Sequence, residues 1–257
     1  MEVVLKYKND PMQLADNVVL AKETIRAVAR QCSMKALFLP KYNMMQAGNG
    51  LHLHVSVRDA TTDRPLFSCD RTDGGRQGLS GKASSFLEGI LQQLPACMGI
   101  TLPTNNSFKR VGVGCWTGSQ VGWAIEDKES AIRICSNLET QELDHVEYKL
   151  CDSTCNIYMA LAAVLASGLD GISRGAPLRP SLRELEGGPR DDATSSKPES
   201  LPTSLDESLR LLETNEVLRA TFGPSLLKGY LALRRNEAER SSKMTLEEQV
   251  QEALKRT

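Results

Sequence analysis

The chain has 257 residues, a net charge of −1 and 40% hydrophobic residues, enough for one large domain or two small ones. The balanced charge gives no indication of a nucleic-acid or membrane-surface partner, and no apolar run reaches the roughly 18 residues of a membrane span. The amino terminus lacks the apolar stretch of a signal peptide. Seven cysteines without a CxxC pair indicate reduced thiols in a cytoplasmic protein and argue against a disulfide framework.

The first part of the chain predicts alternating strands and helices. Residues 16–32 have helical periodicity, with Asp16 as the expected cap, and residues 82–94 form an amphipathic helical pattern. Apolar or strictly alternating runs predict strands at residues 2–7 (EVVLKY), 36–40 (ALFLP) and 51–59 (LHLHVSVRD).

The second part of the chain continues this alternation and then changes in composition. Strands are predicted at residues 121–126, 130–135 and 145–150, with the charged turn DKES between the first two. Residues 156–172 are apolar nearly all round, which predicts a central buried helix. Residues 173–203 are rich in Pro, Gly, Ser and charge and predict a partly disordered surface excursion. The capping box SLDE (204–207) begins the next helix, and FGPS interrupts the helical pattern beyond it.

Two of the three histidines lie in NGLHLHVSV, residues 49–57, with one leucine between them. Alternate residues of a strand share a face, so His52, His54 and Ser56 point the same way while the apolar residues between them point into a core. Such a row is either the floor of a site or the solvent-exposed face of an edge strand, and periodicity favours neither. The glycines of AGNG before the strand permit close backbone approach to a ligand, although they equally suit a plain turn.

Basic residues and one carboxylate form a second group of candidates. Arg110, Lys128 and Arg133 lie near the ends of predicted strands, and a glycine-rich loop follows the first of them. Converging cations suit an anionic, phosphorylated substrate, whereas ordinary surface charge is the alternative. Glu147 and Lys149 share a strand face, as a surface pair or as a metal ligand beside a phosphate clamp.

Three stretches together resemble the catalytic domain of the class-I glutamine synthetase family. AGNGLHLHVSV is similar to the family's NGSGxHxHxS strand, PTNNSFKR to its NxxSYKR motif, and VEYKLCDSTCNIYMALAAVLASGLDGI to ExRxPDxxANPYLxxAAxLxAGLDGI. The resemblance covers nearly the whole chain in the same order and spacing. It implies an α+β domain with a curved, mostly antiparallel sheet, a partial barrel, backed by helices.

The resemblance also implies metal ligands and a reaction. His52 and Glu147 match ligands of one divalent ion, and Glu2 matches a ligand of a second ion. The family uses ATP to phosphorylate the γ-carboxylate of glutamate, and an amine then displaces the phosphate. Carboxylates with one imidazole suit Mg²⁺ or Mn²⁺, and phosphoryl transfer depends mainly on positioning and charge neutralisation.

Other matched positions imply contacts to the substrates. His54 and Ser56 match positions that line the nucleotide. Gly48 and Arg110 match residues that bind glutamate, and Arg133 matches an arginine at the nucleotide phosphates.

Several site positions depart from the family pattern. Lys149 and Lys128 stand where arginines of the catalytic set are usual. A lysine keeps the positive charge but cannot make the two parallel hydrogen bonds of a guanidinium. Ala47 replaces an asparagine that touches the substrate. Trp116 stands where glutamine synthetases carry the glutamate that binds and deprotonates ammonium. An indole face can hold an organic cation, so we expect an organic amine to replace ammonia, or amine ligation to be lost. The chain is thus similar to a divergent glutamine-synthetase-like branch.

The resemblance further predicts an amino-terminally truncated domain. Family members carry a β-grasp domain and an ExE strand before the point that matches Glu2. We therefore expect residues 1–257 to be the carboxy-terminal part of a catalytic domain, with residues 173–203 as an excursion within it. With about half of the carboxylate ligands missing, the chain alone should have negligible ligase activity. The family's homo-oligomeric ring, built partly from the missing domain, should be impaired.

Three functional hypotheses follow. The first is a cytoplasmic enzyme of nitrogen metabolism and glutamine biosynthesis, which ligates ammonia or an organic amine to glutamate through a γ-glutamyl phosphate. The second is a catalytically inactive family member with a structural or scaffolding role. The third is an unrelated binding module. Metal-dependent ATP binding separates the first hypothesis from the other two.

Overall fold

The computed structural model describes residues 2–67, 77–187 and 198–255, within which helices and strands form a mixed α+β fold. The helices are α1 (Pro11–Gln31), α2 (Gly81–Thr101), α3 (Ile157–Arg174), α4 (Leu182–Gly187), α5 (Leu205–Thr214), α6 (Glu216–Ser242) and α7 (Leu246–Lys255). The strands are β1 (Leu53–Val55), β2 (Trp123–Ile125), β3 (Ile132–Ser136) and β4 (Leu143–Tyr148). The predicted fold class is confirmed.

The strands form one open sheet in the order β1-β4-β3-β2. Strand β4 pairs antiparallel with β1 and with β3, whereas β2 and β3 run parallel. In β1, Leu53 is buried beneath the sheet, while His52 and His54 lie on the opposite, exposed face. The alternation predicted from the sequence therefore holds, although the strand itself is shorter than the alternating run.

Two predicted strands are wrong: residues 2–7 and 36–40 form none. Their composition favours extended backbone, but a strand needs a neighbour to accept its hydrogen bonds, and neither segment pairs with a strand among the described residues. The predicted cap of α1 is also wrong, because Asp10 accepts hydrogen bonds from the Met12 and Gln13 amides. Asp16 lies inside the helix and accepts a hydrogen bond from the Tyr158 hydroxyl at 2.6 Å.

The core is centred on the contact between α2 and α3. Gly89 and Gly171 face each other across it, and a methyl group added at either would collide with the backbone of the other helix. The helix predicted for residues 156–172 is confirmed, and its face toward α2 is buried, although Leu169 on another face is exposed. Among the described helices, α3 alone has the length and apolarity of a membrane span. The apolar residues of α3 that face α2 are buried in the core.

Within the described parts of the predicted excursion, Arg179 is hydrogen-bonded to α2. Arg179 donates to the buried Glu88 carboxylate from Nη2 at 2.8 Å and from its backbone amide at 3.0 Å. The centre of the predicted disorder, residues 188–197, lies outside the described residues. Beyond it, Ser204 caps α5 by accepting from the Glu207 amide at 3.3 Å, which confirms the predicted helix start. A non-helical Gly223 (φ 72°) kinks α6, as FGPS predicted.

Candidate active site

Polar side chains from the exposed face of the sheet converge on Glu147, in the central strand β4. The register places Glu147 opposite His54 on one side and Arg133 on the other. The Nδ1 atom of His52 lies 2.9 Å from Glu147 Oε1, and Arg133 Nε donates to Glu147 Oε2 at 2.6 Å. The Nε2 atom of His54 is 3.8 Å from Glu147 Oε1. A single carboxylate thus joins residues from three strands.

The environment keeps this carboxylate charged. The Glu147 side chain is only 6% exposed, and burial alone would raise its pKa. The hydrogen bond and charge of His52, with the charges of Arg133 and Lys149, outweigh burial and lower the pKa to about 2. Burial instead lowers the pKa of His54, which favours its neutral imidazole.

The His52–Glu147 pair has the donor chemistry of a divalent-metal site. The His52 Nδ1 atom and the ionised Glu147 carboxylate lie side by side, 2.9 Å apart, and both are ligand types of a divalent ion that completes its shell with water or phosphate oxygens. The role of Glu2, the third predicted ligand, stays a prediction. Glu2 is exposed in an unpaired segment, so its predicted place on a neighbouring strand is wrong. His52 and Glu147 are thus the candidate donors of a single ion.

The predicted glutamate-binding residues lie against each other. A side chain added at Gly48 would collide with the Pro40 carbonyl and press on Arg110, and one added at Gly50 would collide with the Arg110 guanidinium. The loop therefore needs these glycines to lie close to Arg110. Arg110 is 4% exposed, and its Nη2 donates to the Lys149 carbonyl at 3.2 Å. Burial raises the pKa of neighbouring Asp152, an effect that hydrogen bonds from Thr154 and Ser107 and, to a smaller extent, the charge of Arg110 partly offset. Arg110 therefore packs against the glycine loop and contacts the residue that follows β4.

The two lysines of the predicted catalytic set have different positions. Lys149 is 2% exposed, and its ammonium donates to the backbone carbonyls of Asp127 at 3.0 Å and Lys128 at 2.6 Å. The side chain of Lys128 is exposed in the β2–β3 connection. Lys149 thus links that connection to β4, and a direct role of either lysine in catalysis stays a prediction.

Trp116 lies on a loop held by an acidic residue. The Glu129 carboxylate accepts from the Gly114 amide at 2.9 Å and from the Trp116 amide at 3.2 Å. Trp116 has a left-handed backbone (φ 59°) and is 59% exposed, so its indole presents a free surface. Its predicted contact with an amine stays a prediction.

Sequence reasoning missed three neighbours of this site. His145 Nε2 lies 2.9 Å from His54 Nδ1, Cys135 is opposite His145 in the register, and the Glu126 carboxylate is 3.7 Å from Arg133. His145 precedes Glu147 by two positions and therefore shares its face, a signal that the same alternation could have provided. Ser56, also exposed, lies on the face of His54 just beyond the end of β1.

Comparisons with known proteins agree on one family. The chain matches the profile described as glutamine synthetase, catalytic domain, over residues 1–252. The gamma-glutamylpolyamine synthetase of Streptomyces coelicolor is 35% identical, over 89% of this chain and 48% of that protein. The glutamine synthetase of Methanocaldococcus jannaschii is 34% identical, over 92% and 51%. The glutamate–methylamine ligase of Methyloversatilis universalis is 32% identical, over 84% and 48%.

Solved structures give the same result. A GmaS–ADP complex superposes with a TM-score of 0.75 at 28% identity, over 92% of this chain and 53% of that one. A glutamine synthase homologue gives a TM-score of 0.76 at 29% identity, over 94% and 53%. The chain spans about half the length of the curated relatives it matches.

Proposed function

This chain belongs to the glutamine synthetase family through its catalytic domain, and on that premise we propose that it forms part of an ATP-dependent glutamate–amine ligase. The reaction joins ammonia or an organic amine to the γ-carboxylate of glutamate through a γ-glutamyl phosphate. The observation that carries this proposal is the convergence of His52 and Arg133 on the ionised Glu147. An imidazole, a carboxylate and a guanidinium at one point suit a nucleotide phosphate with its divalent ion.

Each of these residues has a distinct task in the proposal. Glu147 and His52 hold one divalent ion, Mg²⁺ or Mn²⁺, which when bound would offset the charge of the phosphates. Arg133 orients Glu147 through the 2.6 Å hydrogen bond and places a second cation beside the phosphates. His54 and Ser56 line the nucleotide on the same face.

Within this proposal, an organic amine is preferred to ammonia. The exposed indole of Trp116 offers apolar area and a negative π-face but no base, which suits an alkylammonium group better than ammonium. Relatives named for polyamine and methylamine substrates, at 35% and 32% identity, support this choice. The inactive alternative has no such support, since these relatives carry synthetase or ligase names and the Glu147 carboxylate keeps its partners.

Calorimetric titration of the purified chain with ATP tests the proposal. We expect binding that requires Mg²⁺ or Mn²⁺ and is weakened about tenfold or more in Glu147→Gln, which removes the charged ligand while keeping the shape. Glu139→Gln, on an exposed turn, is the matched control and should bind as wild type does. ATP binding that is absent, or that ignores both metal and Glu147→Gln, would overturn the proposal.

A further inference from the structure

Beside the proposed ligands of the catalytic ion, a second group of donor atoms gathers on the same sheet. One side-chain donor atom from each of His54, Cys135 and His145 lies within 4.8 Å of the other two. The three residues come from β1, β3 and β4, so no local sequence motif links them. Their ligand types, two imidazoles and one thiol, differ from the imidazole and carboxylate of His52 and Glu147.

The sheet register explains why they meet. Cys135 pairs directly with His145 between β3 and β4, and a register irregularity follows Cys135. His54 pairs with Glu147 between β1 and β4, two positions from His145 and therefore on the same face. Rigid neighbouring strands thus hold the three donors, which lowers the cost of ordering them around an ion.

The surroundings of His145 favour a ligand role. Its Nδ1 atom lies 2.8 Å from Asp144 Oδ2, and its Nε2 atom lies 2.9 Å from His54 Nδ1. A carboxylate on one ring nitrogen, with the other nitrogen directed at the site, is the usual arrangement of metal-binding histidines. The alternative is a simple hydrogen-bonded histidine pair, in which the Cys135 thiol would have no part.

We propose that His54, Cys135 and His145 bind a thiophilic divalent ion, Zn²⁺, at a site adjacent to His52 and Glu147 but with its own three donors. Zinc bonds of about 2.0–2.3 Å place tetrahedral donors about 3.3–3.8 Å apart, so the cluster needs only small adjustments. The Cys135 thiol loses its proton to solvent as its sulfur bonds the ion, and water occupies the fourth position. Mg²⁺ prefers oxygen ligands and does not compete well here.

This site would also regulate the enzyme. His54 is predicted to line the nucleotide, so an ion bound to its imidazole would oppose ATP binding. That consequence rests on the proposed function, whereas zinc binding itself does not. The test of the site therefore uses the chain without nucleotide or glutamate.

Cobalt titration of the reduced chain provides a spectroscopic test. We expect one equivalent of Co²⁺ to produce thiolate-to-metal charge-transfer absorption, which Zn²⁺ abolishes by displacement and excess Mg²⁺ does not. Cys135→Ser should lose this absorption. Cys32→Ser, at an exposed cysteine after α1, is the matched control and should retain it. Absorption that persists in Cys135→Ser would overturn the proposal.

Histidine variants provide a second test that does not depend on the buried cysteine. His145→Ala should lower Zn²⁺ affinity more than tenfold, and Asp144→Asn about tenfold, with circular dichroism confirming the fold. Unchanged affinity in folded His145→Ala would refute the site. If wild type binds ATP with its metal but shows no cobalt absorption, only the zinc site fails. Cobalt absorption without ATP binding would instead refute the ligase proposal alone.

Discussion

The α2–α3 interface and the polar face of the sheet are built on opposite principles. The interface brings two helix backbones together at Gly89 and Gly171, where no side chain fits. The sheet face brings the Arg133 guanidinium and the His52 imidazole to Glu147, and both side chains stay partly in solvent. Burying charges costs desolvation that their attraction only partly offsets, whereas close apolar packing stabilises directly. The comparison suggests that the interface holds the fold, while the sheet face is arranged for chemistry.

An ion pair at the rim of the core refines this comparison. Glu88 and Arg179 pair through several hydrogen bonds, whereas Arg133 donates one to Glu147, and Glu88 lies on the core helix α2. Its partner also donates a backbone amide, so the pair fixes a chain segment as well as a charge. We therefore assign the Glu88 pair to stability, whereas the Glu147 pair belongs to the proposed function.

The largest expected effect is at the helix interface. Gly171→Val should lower the free energy of unfolding by more than about 3 kcal/mol, because the new side chain meets the backbone of α2. Urea denaturation measures it. Gly229→Val, on an exposed position of α6 with open space around it, is the matched control and should change stability by less than about 0.5 kcal/mol. Equal losses in both variants would contradict the close-packed interface.

A smaller loss is expected at the buried ion pair. Arg179→Ala leaves the Glu88 carboxylate buried without its guanidinium and should cost about 2 kcal/mol in urea denaturation. Arg174→Ala breaks an exposed pair with Asp170 and should cost less than about 1 kcal/mol. Equal losses in the free energy of unfolding for the two variants would show that the buried Glu88 pair stabilises the fold no more than an exposed ion pair does.

On the sheet face, binding and stability should separate. His52→Ala removes one proposed metal ligand from an exposed position, so we expect metal-dependent ATP affinity to fall about tenfold, equivalent to about 1.4 kcal/mol. The free energy of unfolding should change by less than about 1 kcal/mol. Calorimetry and urea denaturation of the same sample measure both. A stability loss as large as that of Gly171→Val would remove the distinction between the two regions.

The smallest effect on stability is expected at Trp116. Because the indole is exposed, Trp116→Ala should change the free energy of unfolding by less than about 0.5 kcal/mol. In a ligase assay with a full-length version of the protein, the same variant should lose preference for putrescine or methylamine over ammonia, since the ring supplies the apolar surface. An unchanged ratio of amine rates would show that Trp116 does not form the amine site.

Local sequence patterns determined most of the elements. The apolar run of residues 156–172, the capping box at Ser204 and the FGPS break predicted α3, the start of α5 and the kink of α6. Alternation predicted which face of β1 carries His52 and His54. Such features depend on side-chain periodicity and on hydrogen bonds within a few residues, which a sequence displays directly.

Only the tertiary structure decided how these elements meet. Residues 2–7 have strand-like composition but find no strand partner in the described chain, and β2 and β3 pair in parallel. The ammonium of Lys149 donates hydrogen bonds to backbone carbonyls. The register of the strands brings His145 and Cys135 next to His54. Strand pairing and burial depend on distant segments that compete for the same hydrogen bonds and the same space. Because that competition is non-local, the sequence by itself indicated the candidate residues and their family, while the folded sheet decided which of them lie together.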